Sequence, residues 1–191
     1  MKQFDKAAVI KAWESILTSL GIDFKKDANF VDTPTRIAEM YNEIFAGLLD
    51  DDLLELENQL TKTFPCDYDQ MIVEKGIECW GMCPHHFLPV RYKIDIGYMP
   101  SRKVLGLSKL PRVIQILSKR PVLQEQLTQD IVSYLERVLH PNGVIVKVSG
   151  VHHCMVMRGV KSHNTEAITS AITGVFHYSA SLKEEFMSFV L

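Results

Sequence analysis

Residues 71–98 read MIVEKGIECWGMCPHHFLPVRYKIDIGY, and the fold turns on them. From Val90 to Tyr98, the residues Tyr92, Ile94, Ile96 and Tyr98 alternate with Arg91, Lys93 and Asp95. One face of a strand is therefore apolar and the other charged. Met71–Trp80 precedes it as a second strand-like run and enters a turn at Gly81–His86. Downstream, Ser108 is placed to cap a helix carrying Leu110, Val113, Ile114 and Leu117. A stronger helix follows Pro121: Leu123, Leu127, Ile131, Leu135 and Leu139 recur every four residues until Pro141-Asn142-Gly143 ends it. Val144, Val146 and Val148 then alternate as a strand, His152–Val160 and Gly174–Tyr178 are further strand-like segments, and Leu182–Leu191 reads as a short helix. Strand, strand, helix, helix, strand, strand is an α+β order with an antiparallel sheet.

Upstream the texture is helical. Ala7, Ile10, Trp13, Ile16, Leu17 and Leu20 fall at three- and four-residue spacings, and Gly21 closes that helix. A second helix starts at Asp32-Thr33-Pro34, where Asp or Thr can cap and Pro suits the first turn. It carries Ile37, Met40, Tyr41, Ile44 and Phe45 on one face and ends at Gly47. The acidic, leucine-rich stretch 50–60 reads as a short third helix. The change of period near residue 65 divides the chain into a helical region, 1–64, and a sheet-bearing domain, 65–191.

The 191 residues are 47% hydrophobic and 23% charged, ordinary for a globular chain able to bury a core without disulfide staples. Lys plus Arg number 21 against 23 for Asp plus Glu, a net charge of −2, so no basic field points to nucleic acid. The apolar runs are too short to span a membrane, and the charged N-terminus has no secretory pattern. A cytoplasmic protein is expected. Its four cysteines then read as metal ligands or free thiols rather than disulfides.

Cys83-Pro84-His85-His86 is the first chemical constellation. A thiolate and an imidazole three residues apart in a Pro-restricted turn can reach one zinc ion, although Cys-x-x-His alone is weak evidence. A second His/Cys cluster, Val151-His152-His153-Cys154, strengthens it. Zinc held by Cys83, His86 and Cys154 would keep its fourth position for water, the catalytic arrangement. Along a strand His152 and Cys154 share a side and His153 points away, so His85 and His152 are the candidates for proton transfer beside that water. His153 reads as a packed or surface residue. Gly106-Leu107-Ser108-Lys109-Leu110-Pro111-Arg112 is a glycine loop leading into a helix start with local positive charge; it reads as an anion site or as a capped, solvated helix. Arg158 can add a cation beyond Cys154. Gln124-Glu125 opens the long helix, where simple complementarity to the helix dipole is the plainer reading.

The segments CPHHFLPV (83–90), VLGLSKLPR (104–112), LQEQLT (123–128) and HHCMVMRGV (152–160), in this order, resemble GTP cyclohydrolase I, with similarity running from Asp32-Thr33-Pro34-Thr35-Arg36 to Gly174-Val175-Phe176. The resemblance implies a tunnelling fold: an antiparallel four-stranded sheet with two helices on one face and an N-terminal helical extension. It places zinc on Cys83, His86 and Cys154 and catalysis on His85 and His152. Guanine recognition falls on Gln124 and Glu125, and triphosphate binding on Ser108, Lys109, Arg112 and Arg158. Arg36 would reach the site from a neighbouring subunit in a homodecamer of two pentamers, with the sites at subunit interfaces. The implied reaction opens the guanine imidazole ring of GTP at C8, releases formate and yields 7,8-dihydroneopterin triphosphate, the entry to pterin and folate biosynthesis. No P-loop is found, which disfavours attack at the γ-phosphate.

Two positions depart from the family pattern. Pro84 stands where an acid usually separates the Cys from the first His, so a carboxylate near the metal is missing. Glu39 stands where some relatives carry a phosphate-binding lysine. Two other readings stay open on sequence grounds: a related tunnelling-fold enzyme acting on another purine or pterin, and a non-catalytic, zinc-stabilised oligomer or binding module.

Overall fold

The computed structural model describes residues 4–49, 58 and 62–191. Its elements run α1 (Lys6–Ser19), α2 (Thr33–Ile44), β1 (Thr63–Pro65), β2 (Ile72–Met82), β3 (Pro89–Met99), β4 (Lys103–Leu105), α3 (Lys109–Ser118), α4 (Gln124–Leu139), β5 (Gly143–His152), α5 (His153–Val156), β6 (Ala167–Ile172) and α6 (Ala180–Val190). β2, β3, β5 and β6 form one antiparallel sheet in that order. This is the α+β, tunnelling-fold arrangement expected of the chain. The 50–60 segment lies outside the described residues apart from Asn58.

The alternation read in β3 and β5 sets the core. Val90, Tyr92, Ile94, Ile96 and Tyr98 line up with Val144, Val146 and Val148 on one buried face. Against that face lie Leu127, Ile131, Leu135 and Leu139 of α4 and Leu110, Val113, Ile114 and Leu117 of α3, all in one apolar cluster. The opposite face is not simply solvated. Gly97 leaves room for α6: a Cβ there would meet Ile145 Cγ2 and Phe186 Cδ2 at 2.8 Å. Phe176 and Phe186 are fully buried beside Ile145. Asp95, expected on the charged face, is buried as well. It accepts the Gly76 N–H at 2.8 Å and faces Lys147 Nζ at 3.7 Å. Gly76, at φ +72, sits in the β-bulge between Glu74 and Ile77, where a left-handed residue is needed.

The other differences from the sequence reading are local. β5 stops at His152, and 153–156 form a helical turn rather than a strand continuing to Val160. Gly174–His177 is a 3-10 turn beginning at φ +56, and the fourth strand lies earlier, at Ala167–Ile172. Ser108 holds the N-cap position of α3 with αR backbone angles and makes no side-chain cap bond. β1 spans the expected division at 64/65 and pairs with β4.

The two N-terminal helices reach the sheet through aromatic contacts. Trp13 meets Tyr41 at 6.2 Å, Tyr41 meets Phe45 at 5.2 Å, and Phe45 meets Phe87 at 5.6 Å, each pair edge-on. Gly47 lies against the end of α3, where any Cβ would run into Ile116 O and crowd Lys119 O at 3.0 Å. Glu39 ties α2 to α1 through Lys6 Nζ at 2.9 Å.

Leu135 is fully buried. Leu135→Ala should therefore lower stability by about 2–5 kcal/mol through lost transfer energy and a residual cavity. Leu20→Ala, at a side chain 68% exposed, should change it by less than about 0.5 kcal/mol. Denaturant midpoints of both variants check the pair, and equal shifts would contradict the core assigned here.

Candidate metal centre and active site

The β2–β3 hairpin turn carries the first cluster. Cys83 N–H donates to Leu88 O at 2.9 Å and Phe87 N–H to Cys83 O at 3.0 Å, which closes Cys83-Pro84-His85-His86-Phe87 into a tight loop. Phe87 takes φ +52, a strained angle for a bulky residue, and its ring rests on Phe45. Cys83 points inward and is 4% exposed, while His85 and His86 stand on the exposed side. Their Nδ1 atoms lie 3.9 and 3.8 Å from Cys83 Sγ.

The second cluster arrives from β5. Register pairs Val90 with His152, so the end of β5 lies beside the start of β3 and the hairpin turn. The helical turn that follows brings Cys154 round to the same spot. Cys83, His152 and Cys154 place one ligand atom each within 4.8 Å of one another, and all four cysteines are free thiols. The third member of that group is His152; His86 approaches it from the Cys83 side. His152 and Cys154 do share a side, as expected, but a turn of helix and not strand alternation puts them there. His153 packs away from the group: its Nδ1 is 3.1 Å from Pro89 O and its ring lies 5.7 Å from Trp80.

Electrostatics follow the same geometry. Burial lifts the Cys154 thiol above its ordinary range, the adjacent Cys83 adds to this, and Arg158 opposes it. Burial also lowers the His152 imidazole, while the Glu125 carboxylate pulls it back up. Arg158 is thus electrostatically joined to Cys154, and Glu125 to His152. Ser108 and Arg112 lie exposed on the first turn of α3, with Lys109 half-buried between them. Arg36 is not at this centre: its guanidinium pairs with Asp32 across the first turn of α2, 3.4 Å away.

Sequence reasoning missed several supporting groups. Tyr92 is buried with its ring edge-on to His152 at 6.3 Å. Thr128 and Thr169 flank Gln124, which is itself 3% exposed and hydrogen-bonded to His152 Nε2. Gly150 gives up a side chain where Gln124 and Tyr92 press on β5. Only Gly150 left a signal, since a glycine inside an alternating strand marks a close approach.

An antiparallel α+β sheet that closes two thiols and an imidazole into one small group defines a protein with a donor set able to hold a metal ion. The sequence model of the GTP cyclohydrolase I family matches residues 9–191. A relative from Carboxydothermus hydrogenoformans named GTP cyclohydrolase 1 is 40% identical over 187 residues, covering 97% of this chain and 95% of that protein. One of the same name from Fusobacterium nucleatum is 38% identical over 188 residues, covering 98% and 97%. Among solved structures, the archaeosine synthase QueF-Like in the apo form has a TM-score of 0.48 at 18% identity, covering 56% of this chain and 97% of that chain. The chain belongs to the GTP cyclohydrolase I family. Among the described residues no helix is long and apolar enough to cross a membrane.

Cys79 is separated from the centre by its surroundings. Burial pushes its thiol from 9.0 up to about 11, with Ser118 partly offsetting the shift. The folded chain therefore keeps a proton that the unfolded chain loses. That stabilisation is complete below pH 9.0 and disappears as pH rises towards about 11. At pH 8 only about 0.1% of Cys79 is thiolate, so native protein should leave it unalkylated by iodoacetamide while guanidinium-unfolded protein reacts. Peptide mass spectrometry reads this, and native labelling of Cys79 at the unfolded rate would contradict its burial.

Proposed function

We propose that this chain is a zinc-dependent GTP cyclohydrolase I of the cytoplasm, in which Cys83, His86 and Cys154 hold the metal and His85 and His152 move protons. The observation that carries the reading is the closing of Cys83, Cys154 and His152 to within 4.8 Å in a chain of this family. The donors suit the ion. Two thiolates and an imidazole favour zinc over magnesium or calcium, which prefer oxygen. A tetrahedral zinc needs sulfur and nitrogen ligand atoms about 3.6 Å apart, close to the 3.8 Å between Cys83 Sγ and His86 Nδ1. When bound, zinc supplies Lewis acidity that makes water a nucleophile near neutral pH.

The chain's own groups do the rest. The α3 start, with Ser108, Lys109 and Arg112, and the guanidinium of Arg158 anchor the triphosphate. Glu125 accepts from guanine N1–H and the 2-amino group together, a pattern adenine lacks. The resemblance gives Gln124 a share in that recognition. Water adds at C8 while His152 or His85 protonates the ring nitrogen, and a second hydrolysis releases formate. The ribose then opens, rearranges and closes on the freed amines. Throughout this sequence the anchored triphosphate keeps the reacting carbon near the histidines. Arg36 acts in a neighbouring subunit's site within a decamer of two pentamers. Two facts support this: among the described residues the outer edges of β2 and β6 have no strand partner, and among those residues the Arg36 guanidinium has only a surface ion pair with Asp32.

Purified protein mixed with GTP should release formate and give a product that oxidises to a fluorescent pterin. Cys83→Ser, Cys154→Ser and His86→Ala should lose most of the bound zinc. His152→Ala should keep the zinc and lose about 10²–10⁴-fold in kcat. Elemental analysis beside formate assay separates these. Zinc loss in the His152 variant with retention in the His86 variant would reassign the ligand set, GTP binding without formate would make the chain a relative with altered chemistry, and chelation that unfolds an inactive protein would make the zinc structural.

Glu125→Ala should raise KM for GTP about 10–100-fold, the loss of a charge-assisted hydrogen-bond pair. Steady-state kinetics with GTP checks this, and unchanged KM would remove Glu125 from base recognition.

A further inference from the structure

Gln124 is a polar residue in the first turn of α4, where a solvated side chain would be ordinary, yet it is 3% exposed. Its carboxamide has no spare donor. Nε2 donates to Val148 O at 3.1 Å and Ala167 O at 2.9 Å, and lies 3.2 Å from Thr169 Oγ1. Main-chain carbonyls only accept, so the nitrogen end of the amide must face them and the oxygen end must face His152. Gln124 Oε1 lies 2.9 Å from His152 Nε2.

The hydroxyls beside it run in a consistent direction. Thr128 Oγ1 donates to Gln124 O at 2.8 Å, so in the 2.7 Å contact between Thr128 and Thr169 the hydrogen comes from Thr169. Thr169 Oγ1 is thereby left as an acceptor towards Gln124 Nε2. A third element makes room for the amide. A Cβ on Gly150 would run into Gln124 Oε1 and stand 3.1 Å from its Cδ and 3.0 Å from Tyr92 Cε1. Strand β5 omits a side chain where the carboxamide sits.

We infer that Gln124 is a positioning residue that acts through His152: its immovable Oε1 keeps the hydrogen of the neutral ring on Nε2, so His152 takes up and delivers its catalytic proton at Nδ1. An amide oxygen cannot donate, so the opposite tautomer would leave two acceptors facing each other at a part-buried contact whose Gln124 side is closed to solvent. The role rests on the cyclohydrolase reading, in which His152 transfers protons. It differs from base recognition in its kinetic signature. A base-reading Gln124 would appear in KM, whereas an orienting one appears in kcat.

The test uses the full-length zinc enzyme labelled with 15N-histidine near pH 8, where a free imidazole is neutral. The His152 resonances are identified by their absence in His152→Asn. Wild-type protein should show a protonated Nε2 and an unprotonated Nδ1, a result that needs no Gln124 variant to fold. Gln124→Met should lower kcat about 10–100-fold, as loss of an orienting partner does, with KM for GTP within about threefold and zinc content unchanged. Gly150→Ala, which keeps the carboxamide but displaces it, should move kcat in the same direction. A wild-type His152 protonated on Nδ1, or a Gln124 variant with raised KM and unchanged kcat, overturns the inference. A wild type that releases no formate defeats the enzymatic reading on which the role rests.

Discussion

Antiparallel pairing of Val90 with His152 is the constraint from which the site follows. It sets the start of β3 beside the end of β5, and each strand meets a chain reversal there. On one side the β2–β3 loop closes through the Cys83 and Phe87 hydrogen bonds; on the other, β5 passes into the turn carrying Cys154. Two thiols from distant parts of the chain meet because neither strand can slip. A shift of one residue would turn Tyr92, Ile94 and Ile96 out of the core, and those three side chains are essentially unexposed. The hydrophobic face of the sheet thereby fixes the position of donors that lie at its end.

The N-terminal helices bear on the same loop. The ring chain from Trp13 through Tyr41 and Phe45 ends at Phe87, whose left-handed backbone closes the Cys83 turn. Strain of this kind persists only when the surroundings hold it, and here the holding contact comes from α2. Helix position and the pose of His85 and His86 are thus mechanically connected. The same helices and the edge of β2 enclose a groove of ≈ 720 Å³ lined by Trp13, Tyr41, Trp80 and Phe87. Cys79 lines it as well, and nothing in the structure shows what covers it.

How much was legible depended on whether a segment's partners were local. The β2–β3 hairpin, α3, α4 and β5 were legible because their apolar period is strong and a single face is buried. The segment after His152 was misread because its apolar residues, Met155, Val156 and Met157, suit a strand. However, β3 starts at Pro89 and offers no partner beyond Val90. The unpaired backbone coils into a turn, in which His153 reaches Pro89 O and Trp80. β6 was placed too late because Ala167–Ile172 puts the small residues Ala167, Thr169 and Ala171 on its half-buried face and leaves the apolar Ile168 exposed, a weak signal, while Gly174 breaks the stretch favoured from sequence. β1 and β4, three residues each, carry no period at all. At the metal-ligating group, Cys83, Cys154 and His152 were legible as candidates from their spacing. The groups that hold them were not, because Tyr92, Thr128 and Thr169 look like ordinary core and strand residues until the sheet is assembled.

Gln124 shows why such groups escape a linear reading. At the start of an amphipathic helix a Gln followed by a Glu satisfies every local rule as a solvated pair, and Glu125 is indeed exposed. What removes Gln124 from solvent is the arrival of β5 and β6 alongside α4, a long-range event. Burial then forces a complete hydrogen-bond account, and that account has one solution here. Two main-chain carbonyls and a threonine claim the nitrogen, so only the oxygen is left for the imidazole. The direction of the bond to His152 is therefore imposed by the pairing of two strands and requires no feature of His152 itself. Adjacent residues end in separate settings: Glu125 is exposed, and Gln124 is built into the wall behind the histidine. The sheet that gathers the thiols also sets which nitrogen of His152 is free.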